Sequence, residues 1–191
     1  MPNRIATFEK VSYDEFKKSY GKSLIDFVNS LGLSDTTQFD EQIDKLCKTI
    51  YDRIKLPKRA TTGSAGYDFY SPAEYTIQPN SSIVIPTGIR CKIDNDYVLS
   101  IYPRSGLGFK HRLGLDNTVG IIDSDYYYSD NEGHIMIKIH HELNTPLKIE
   151  SGKAFAQGIF TQYGITTDDD VTETRNGGFG STDNKNVKEG N

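Results

Sequence analysis

The chain has 191 residues, 36% hydrophobic and 25% charged, and its 22 Lys and Arg against 26 Asp and Glu leave a net charge of -4. That balance describes one domain of ordinary composition with room for an appendage, and it gives bulk electrostatics little with which to hold a nucleic acid or an anionic membrane. No apolar run approaches the roughly 20 residues needed to span a bilayer, so a soluble protein with no nucleic-acid or membrane partner is expected. Met1-Pro2-Asn3-Arg4 leads into no apolar signal segment. Cys47 and Cys91 stand at no metal or redox spacing and read as buried thiols in a reducing, cytoplasmic setting.

In chain order, Ser12-Tyr13-Asp14-Glu15 carries a capping box, and Phe16, Tyr20, Leu24, Phe27, Val28 and Leu31 follow on one helical face until Gly32 stops it. Gly21 inside this pattern costs about 1 kcal/mol against Ala, so one helix or two shorter pieces both fit. A second helix is predicted from the stripe Phe39, Ile43, Leu46, Ile50 and Ile54, with charged residues on the opposite side and Pro57 ending it. Apolar stripes at this spacing are packing surfaces. Residues 1–56 therefore read as a helical extension with a structural or oligomeric role.

After Pro57 the period changes. Short β-rich runs appear at Ser82–Ile85, Tyr97–Tyr102, Ile135–Ile139 and Ala154–Phe160, separated by turn signals such as Asp94-Asn95-Asp96, Asn144-Thr145-Pro146 and Ser151-Gly152. Hairpin spacing of this kind predicts an antiparallel sandwich or barrel over residues 57–167. From about Thr166 the composition turns polar and glycine-rich. Residues 168–191 cannot build a core and are expected to be a mobile arm until something orders them.

Within the β body, Val119-Gly120-Ile121-Ile122-Asp123-Ser124-Asp125-Tyr126 delivers two acids and a phenol to the end of an apolar run. Alternation places Val119, Ile121, Asp123 and Asp125 on one face. An unpaired buried carboxylate costs several kcal/mol, so an acid here needs a partner, solvent or a chemical role; a strand closing in a polar turn and a catalytic carboxylate both fit.

Pro103-Arg104-Ser105-Gly106-Leu107-Gly108 offers a guanidinium, a hydroxyl and accessible backbone N–H groups, which suit an anion but also an ordinary turn, and the Walker spacing is missing. In the arm, Phe179 stands among glycines with Arg175, Ser181 and Thr182 nearby. Docking on the protein's own surface and stacking on a planar ligand are both open. His140 and His141 are adjacent on a strand and point to opposite faces, while His111 and His134 lack partners at ligand spacing, so no protein-bound zinc is expected.

Ala65-Gly66-Tyr67-Asp68-Phe69-Tyr70-Ser71, Pro103 to Leu107, Asn117 to Tyr126, Gly152-Lys153-Ala154-Phe155-Ala156-Gln157 and Gly177-Gly178-Phe179-Gly180-Ser181-Thr182 resemble the five ordered motifs of the homotrimeric dUTPase family. Five motifs in order cover about Lys55 to Thr182. The resemblance implies a mainly β, jelly-roll-like barrel subunit with an N-terminal helical extension and a flexible C-terminal arm. It also implies a homotrimer with active sites at subunit interfaces, each closed by the arm of another chain.

By the same resemblance, Asp123 activates a water for attack on the α-phosphorus of dUTP, releasing dUMP and pyrophosphate. Such an activity limits uracil incorporation into DNA and supplies dUMP for dTMP synthesis. Tyr126 would pack against the deoxyribose and exclude a 2'-hydroxyl, while Asn117, Gly120 and the backbone near Met136 would receive uracil. Arg104, Ser105, Gly106 and Gln157 match phosphate contacts. Asp68 would brace Arg104 or a hydrated metal. Phe179 would stack on uracil, with Gly180, Ser181 and Thr182 along the phosphates. Mg²⁺ is the implied cofactor, bridging phosphate oxygens through its water shell with no direct protein ligand.

Two departures stand out. The arginine that usually opens the last motif three residues before the paired glycines is replaced by Thr174, and Arg175 follows one place later, within reach of the γ-phosphate. Tyr127 to Glu132 lengthen what reads as a hairpin between Tyr126 and Gly133. Two other readings are a dCTP deaminase-related enzyme of the same fold, against which Tyr126 and the Gly-Gly-Phe-Gly-Ser-Thr arm speak, and a nucleotide-dependent trimer that grips an unknown protein partner through the N-terminal helices or that hairpin.

Overall fold

The computed structural model describes residues 3–30, 36–173 and 175. In chain order it contains β1 (Ala6–Lys10), α1 (Tyr13–Ser30), α2 (Thr36–Arg53), β2 (Lys58–Arg59), β3 (Tyr67–Tyr70), β4 (Tyr75–Ile77), β5 (Ser81–Pro86) and β6 (Ile89–Ile93). There follow β7 (Tyr97–Pro103), α3 (Ser105–His111), β8 (Leu113–Leu115), β9 (Gly120–Ile122), a 3-10 turn over Ser124–Tyr128, β10 (Met136–His141), β11 (Leu147–Ile149) and β12 (Ala154–Gln162). The expected residues Leu31, Gly32, Thr174, Phe179, Gly180, Ser181 and Thr182 lie outside the described set.

The strand pairs are antiparallel. The largest sheet runs β2-β3-β12-β7-β9, a second runs β5-β10-β8, and β11-β4 and β1-β6 form two-stranded pairs. This is the mainly β, jelly-roll-like body that the alternating sequence demands. In β10, Ile137 and Ile139 turn inward and Lys138 outward; in β7, Leu99 and Ile101 enter the same core, joined by Phe69, Ile85 and Phe155. Removing a side chain of that size from water contributes about 1.5–3 kcal/mol. Three of the four predicted strands fall within β5, β7 and β12, and the fourth, Ile135–Ile139, overlaps β10, which begins one residue later at Met136.

Two features differ from the sequence reading, and another decides between its alternatives. First, β1 was not anticipated: it pairs with β6 from Ala6↔Ile93 to Lys10↔Ile89, and Phe8 packs its ring against Tyr67, Phe69 and Phe160. The start of the chain is thereby joined to the β body. Second, α1 is one helix through Gly21, where an added Cβ would lie an ordinary 3.8 Å from Cys47 Sγ. Third, Leu46 is 46% exposed, and Cys47 takes its place beside Ile50 on the buried face of α2, with Ile54 buried just past the helix end. Spacings of four, three and four from Ile43 through Cys47 and Ile50 to Ile54 follow the helical period, which carries Leu46 off the stripe. Both cysteines are buried.

Candidate active site

β9 ends at Ile122, and Asp123 then adopts an extended conformation at the head of the 3-10 turn. Ile122 faces the core while Ile121 is exposed. Asp123 therefore leaves the strand on its wet side, with a side chain 47% exposed, and the cost of burying a carboxylate does not arise. Asp125 is not on the strand at all; it lies in the 3-10 turn. The Tyr126 backbone N–H donates to the Asp123 carbonyl at 3.2 Å, so the acid and the phenol belong to one turn.

Tyr126 is only 4% exposed. Its hydroxyl donates to the His134 carbonyl at 2.8 Å and accepts from Asn131 Nδ2 at 2.8 Å. Burial pushes the phenol's pKa up, against smaller opposing effects of Asn131 and Arg175, so the hydroxyl stays protonated and can donate. Arg175 lies over the Tyr126 ring at 5.7 Å and pairs with Asp123 at 2.6 Å and Asp125 at 3.0 Å.

Asn117, Gly120 and Met136 line one cavity of about 340 Å³, with apolar walls that include Ile101, Leu115 and Ile137. Its volume and lining suit a flat heterocycle held by a few polar groups. The turn entering β9 is tight: Val119 N–H donates to the Asn117 carbonyl at 2.6 Å, and Thr118 sits at φ 65°. A Cβ on Gly120 would stand 3.1 Å from Ile101 Cβ, which gives that glycine a packing reason as well. Asp116 also lines the cavity and was not singled out from sequence. Lys138 at 2.7 Å, with Ser82 and His140, holds its carboxyl below the usual range despite partial desolvation.

The remaining candidates gather elsewhere. Arg104 follows β7, and its Nε pairs with Asp68 Oδ1 at 3.2 Å. Gln157 lies opposite Asp68 on one side and Tyr102 on the other, and its amide donates to the Pro103 carbonyl at 3.3 Å. Gly66 allows this approach, since a Cβ there would stand 2.8 Å from Gln157 Oε1. Ser105 and Gly106 open α3, a helix that the two glycines in Ser105–His111 concealed in the sequence. The first N–H groups of a helix lack intrahelical acceptors and point outward, a suitable surface for anions.

Register sets the separation of the two groups. Gly120 pairs with Ile101 and Ile122 with Leu99, so Asp123 continues past Leu99 while Arg104 follows Pro103 at the other end of β7. Six residue steps from Val98 to Arg104 at about 3.3 Å each put roughly 20 Å between the two ends.

The stretch between Tyr126 and Gly133 is not a hairpin, because β9 pairs with β7 whereas β10 pairs with β5 and β8. It is a loop that leans on α1, with Glu132 gripping Ser12. Glu132, His134 and Glu15 around Tyr126 had no motif to announce them; the capping-box pattern had assigned Glu15 to its own helix.

The sequence profile of the dUTPase family matches residues 52–183. The chain belongs to the dUTPase family. Among its relatives, the deoxyuridine 5'-triphosphate nucleotidohydrolase of Lactococcus lactis is 39% identical over 132 residues, spanning 68% of this chain and 88% of that protein. The dUTPase of Streptococcus mutans superposes with a TM-score of 0.55 at 34% identity, covering 58% of this chain and 88% of that one. A variant dUTPase from phage phi11 of S. aureus, described for its coordination of a structural Mg(II) ion, shares the fold with a TM-score of 0.52 at 22% identity, covering 62% of this chain and 90% of its own. The first 51 residues of this dUTPase precede the family match, so β1, α1 and most of α2 lie outside it.

Proposed function

We propose that this chain hydrolyses dUTP to dUMP and pyrophosphate in sites shared between three copies, with Asp123 accepting the proton of a water that attacks the α-phosphorus. Family membership supports the activity. The observation that carries the shared site is the roughly 20 Å of β-strand, six steps at about 3.3 Å, between the Asp123 end and the Arg104 end of one subunit. One nucleotide cannot place its α-phosphorus at the first and its other phosphate oxygens at the second, so the two ends serve different copies of the site.

The roles follow from the surroundings. The Asp123 side chain, 47% exposed at a strand end, is open to a water whose proton its carboxylate can accept. The cavity at Asn117, Gly120 and Met136 receives uracil, where an added methyl would meet packed walls and a wrong donor would stay unpaired. Tyr126 presents its ring to the sugar. Arg104, Ser105, Gly106 and Gln157 take phosphate oxygens, with Asp68 holding the Arg104 guanidinium. Arg175, Phe179, Gly180, Ser181 and Thr182 are the arm residues assigned to uracil and the phosphates. The phosphate donors and the Asp68 carboxylate, which can accept from a metal-bound water, suit a hydrated Mg²⁺ held mainly by the triphosphate. When bound, that ion neutralises charge on the phosphate oxygens.

A pyrophosphate-release assay over dUTP, dCTP, dTTP and UTP, with and without Mg²⁺, tests the reading. Strong preference for dUTP with Mg²⁺ is expected; equal hydrolysis of all four would overturn it.

A further inference from the structure

We infer that Ser12, which caps α1, and Glu15 in its first turn are positioning residues which, by gripping Glu132 and His134, set the placement of Tyr126 and with it the discrimination between deoxyribo- and ribonucleotide. This rests on the reading of Tyr126 as the group that faces the sugar.

The grip begins at the N-terminus of α1. The Ser12 hydroxyl accepts the Glu15 backbone N–H at 3.2 Å, as an N-cap should. A capping box would return the Glu15 carboxylate to the Ser12 N–H. Here the Glu132 carboxylate, from 120 residues away, takes that N–H at 2.7 Å and also accepts from the Ser12 hydroxyl at 2.5 Å. Burial works against the charge on Glu132, yet these hydrogen bonds prevail and hold its pKa below the usual range.

Glu15, released from capping, turns inward. It is buried, accepts from Ser19 Oγ at 3.0 Å and faces His134 Nδ1 at 3.4 Å. His134 is fully buried, and its Nε2 accepts the Gly88 N–H at 2.9 Å. A ring nitrogen that accepts carries no proton, so Nδ1 bears the hydrogen and donates to Glu15. The same residue's carbonyl receives the Tyr126 hydroxyl. A continuous path thus runs from α1 through the His134 ring and backbone to Tyr126.

The loop between the two grips is strained in a specific place. Glu132 and Gly133 are consecutive left-handed residues at φ 57° and φ 70°. A Cβ on Gly133 would lie 2.7 Å from Tyr127 Cα and 2.8 Å from the Tyr126 carbonyl oxygen. Glu132 has no such freedom as glycine, and its conformation persists because its carboxylate is tied down. A third tie lies alongside: Tyr127 donates to Glu9 at 2.8 Å, and Arg90 pairs with Glu9 at 2.9 Å while lying 4.4 Å over the Tyr127 ring. All three ties connect the loop to the strand and helix that precede the family match or to the strand paired with them.

The test compares kcat/KM for dUTP and for UTP in Glu132→Ala, Glu132→Gln and Tyr126→Ala, with folding followed by circular dichroism. Glu132→Ala is expected to lower the dUTP-over-UTP ratio about tenfold, the order of discrimination lost when a pocket contact loosens by a methylene's width. Glu132→Gln keeps an acceptor for the Ser12 N–H and a donor for its hydroxyl, and is expected to restore most of the ratio. An unchanged ratio in folded Glu132→Ala, while Tyr126→Ala lowers it, would overturn the positioning role. An equal fall in Glu132→Gln would also do so. An unchanged ratio in Tyr126→Ala would instead overturn the sugar-facing role itself. Should Glu132→Ala fail to fold, Ser12→Ala is read in the same way, with Ser12→Thr as its rescue.

Discussion

Arg175 donates from Nη2 to Asp123 Oδ2 at 2.6 Å and from Nε to Asp125 Oδ1 at 3.0 Å. One guanidinium thus spans both acids, Asp123 and Asp125, at the turn that follows β9, with its Cζ 5.7 Å over the Tyr126 ring. Asp125, which strand alternation would pair with Asp123, instead shares a cation with it. The arrangement holds Arg175, proposed to take a phosphate oxygen, at the carboxylate proposed to activate water.

Asp123→Asn keeps the size of the side chain and removes its basicity. Turnover of dUTP should fall by about 10²–10⁴-fold, the usual worth of a general base, with nucleotide affinity nearly unchanged. Single-turnover kinetics beside equilibrium binding of dUTP separate the two. Turnover within a few-fold of the parent would remove Asp123 from that role.

Arg175→Ala should lower kcat/KM for dUTP by about 10²-fold, as loss of one preorganised phosphate donor does. Its ion pairs are partly exposed and contribute at most about 1 kcal/mol to folding, so the thermal midpoint should hardly move. Truncation before Arg175 should likewise leave a folded protein of low activity. Normal hydrolysis by either variant would detach the arm from catalysis.

Gly133→Ala places a methyl against backbone atoms that cannot rotate away and asks a side-chain-bearing residue to keep φ 70°. A loss of about 1–3 kcal/mol in unfolding free energy is expected from strain of this kind, measurable by urea denaturation. Unchanged stability would show that the turn can adopt another backbone path.

Burial lowers the pKa of His134, partly offset by its hydrogen bond to Glu15 and by the charges of Glu15 and Glu132. The unfolded chain binds its proton at about pH 6.5, above the folded value. Stability from this group is therefore complete above about pH 6.5 and drains as pH falls toward the lower folded pKa, by at most about 1.4 kcal/mol per pH unit. Urea midpoints at pH 7.5 and 5.5 should show this slope in the parent and a flatter one in His134→Gln. Identical slopes would mean that His134 does not titrate in the folding equilibrium.

Much of the architecture was legible from local pattern. Alternation at Ile135–Ile139 and Tyr97–Tyr102 placed strands now seen as β10 and β7, because a side-chain period of two survives wherever one face is buried. Ser12 marked a helix start for local reasons of capping, whereas α2 ends at Arg53, four residues before the Pro57 that was expected to stop it. Asp123, Tyr126, Asn117, Gly120 and Arg104 stand in the sequence within the motifs that resemble the dUTPase family.

Only the tertiary structure decided which of these residues meet. The Ser12–Glu132 and Glu15–His134 contacts join positions 120 and 119 residues apart, and no local period records a partner at that distance. Ser12-Tyr13-Asp14-Glu15 satisfies a capping box by sequence, yet Glu132 outcompetes Glu15 for the Ser12 N–H because the loop before β10 folds over the start of α1. In the same way β1 reads as an ordinary polar stretch until β6 supplies its hydrogen bonds. Local pattern by itself determined most of the elements, which follow from side-chain type and spacing, whereas the roles expected of the motif residues rest on the resemblance of five ordered motifs to one family. The grip on Tyr126 and the separation of Asp123 from Arg104 were set by strand register and non-local packing, which exist only once the chain has closed on itself.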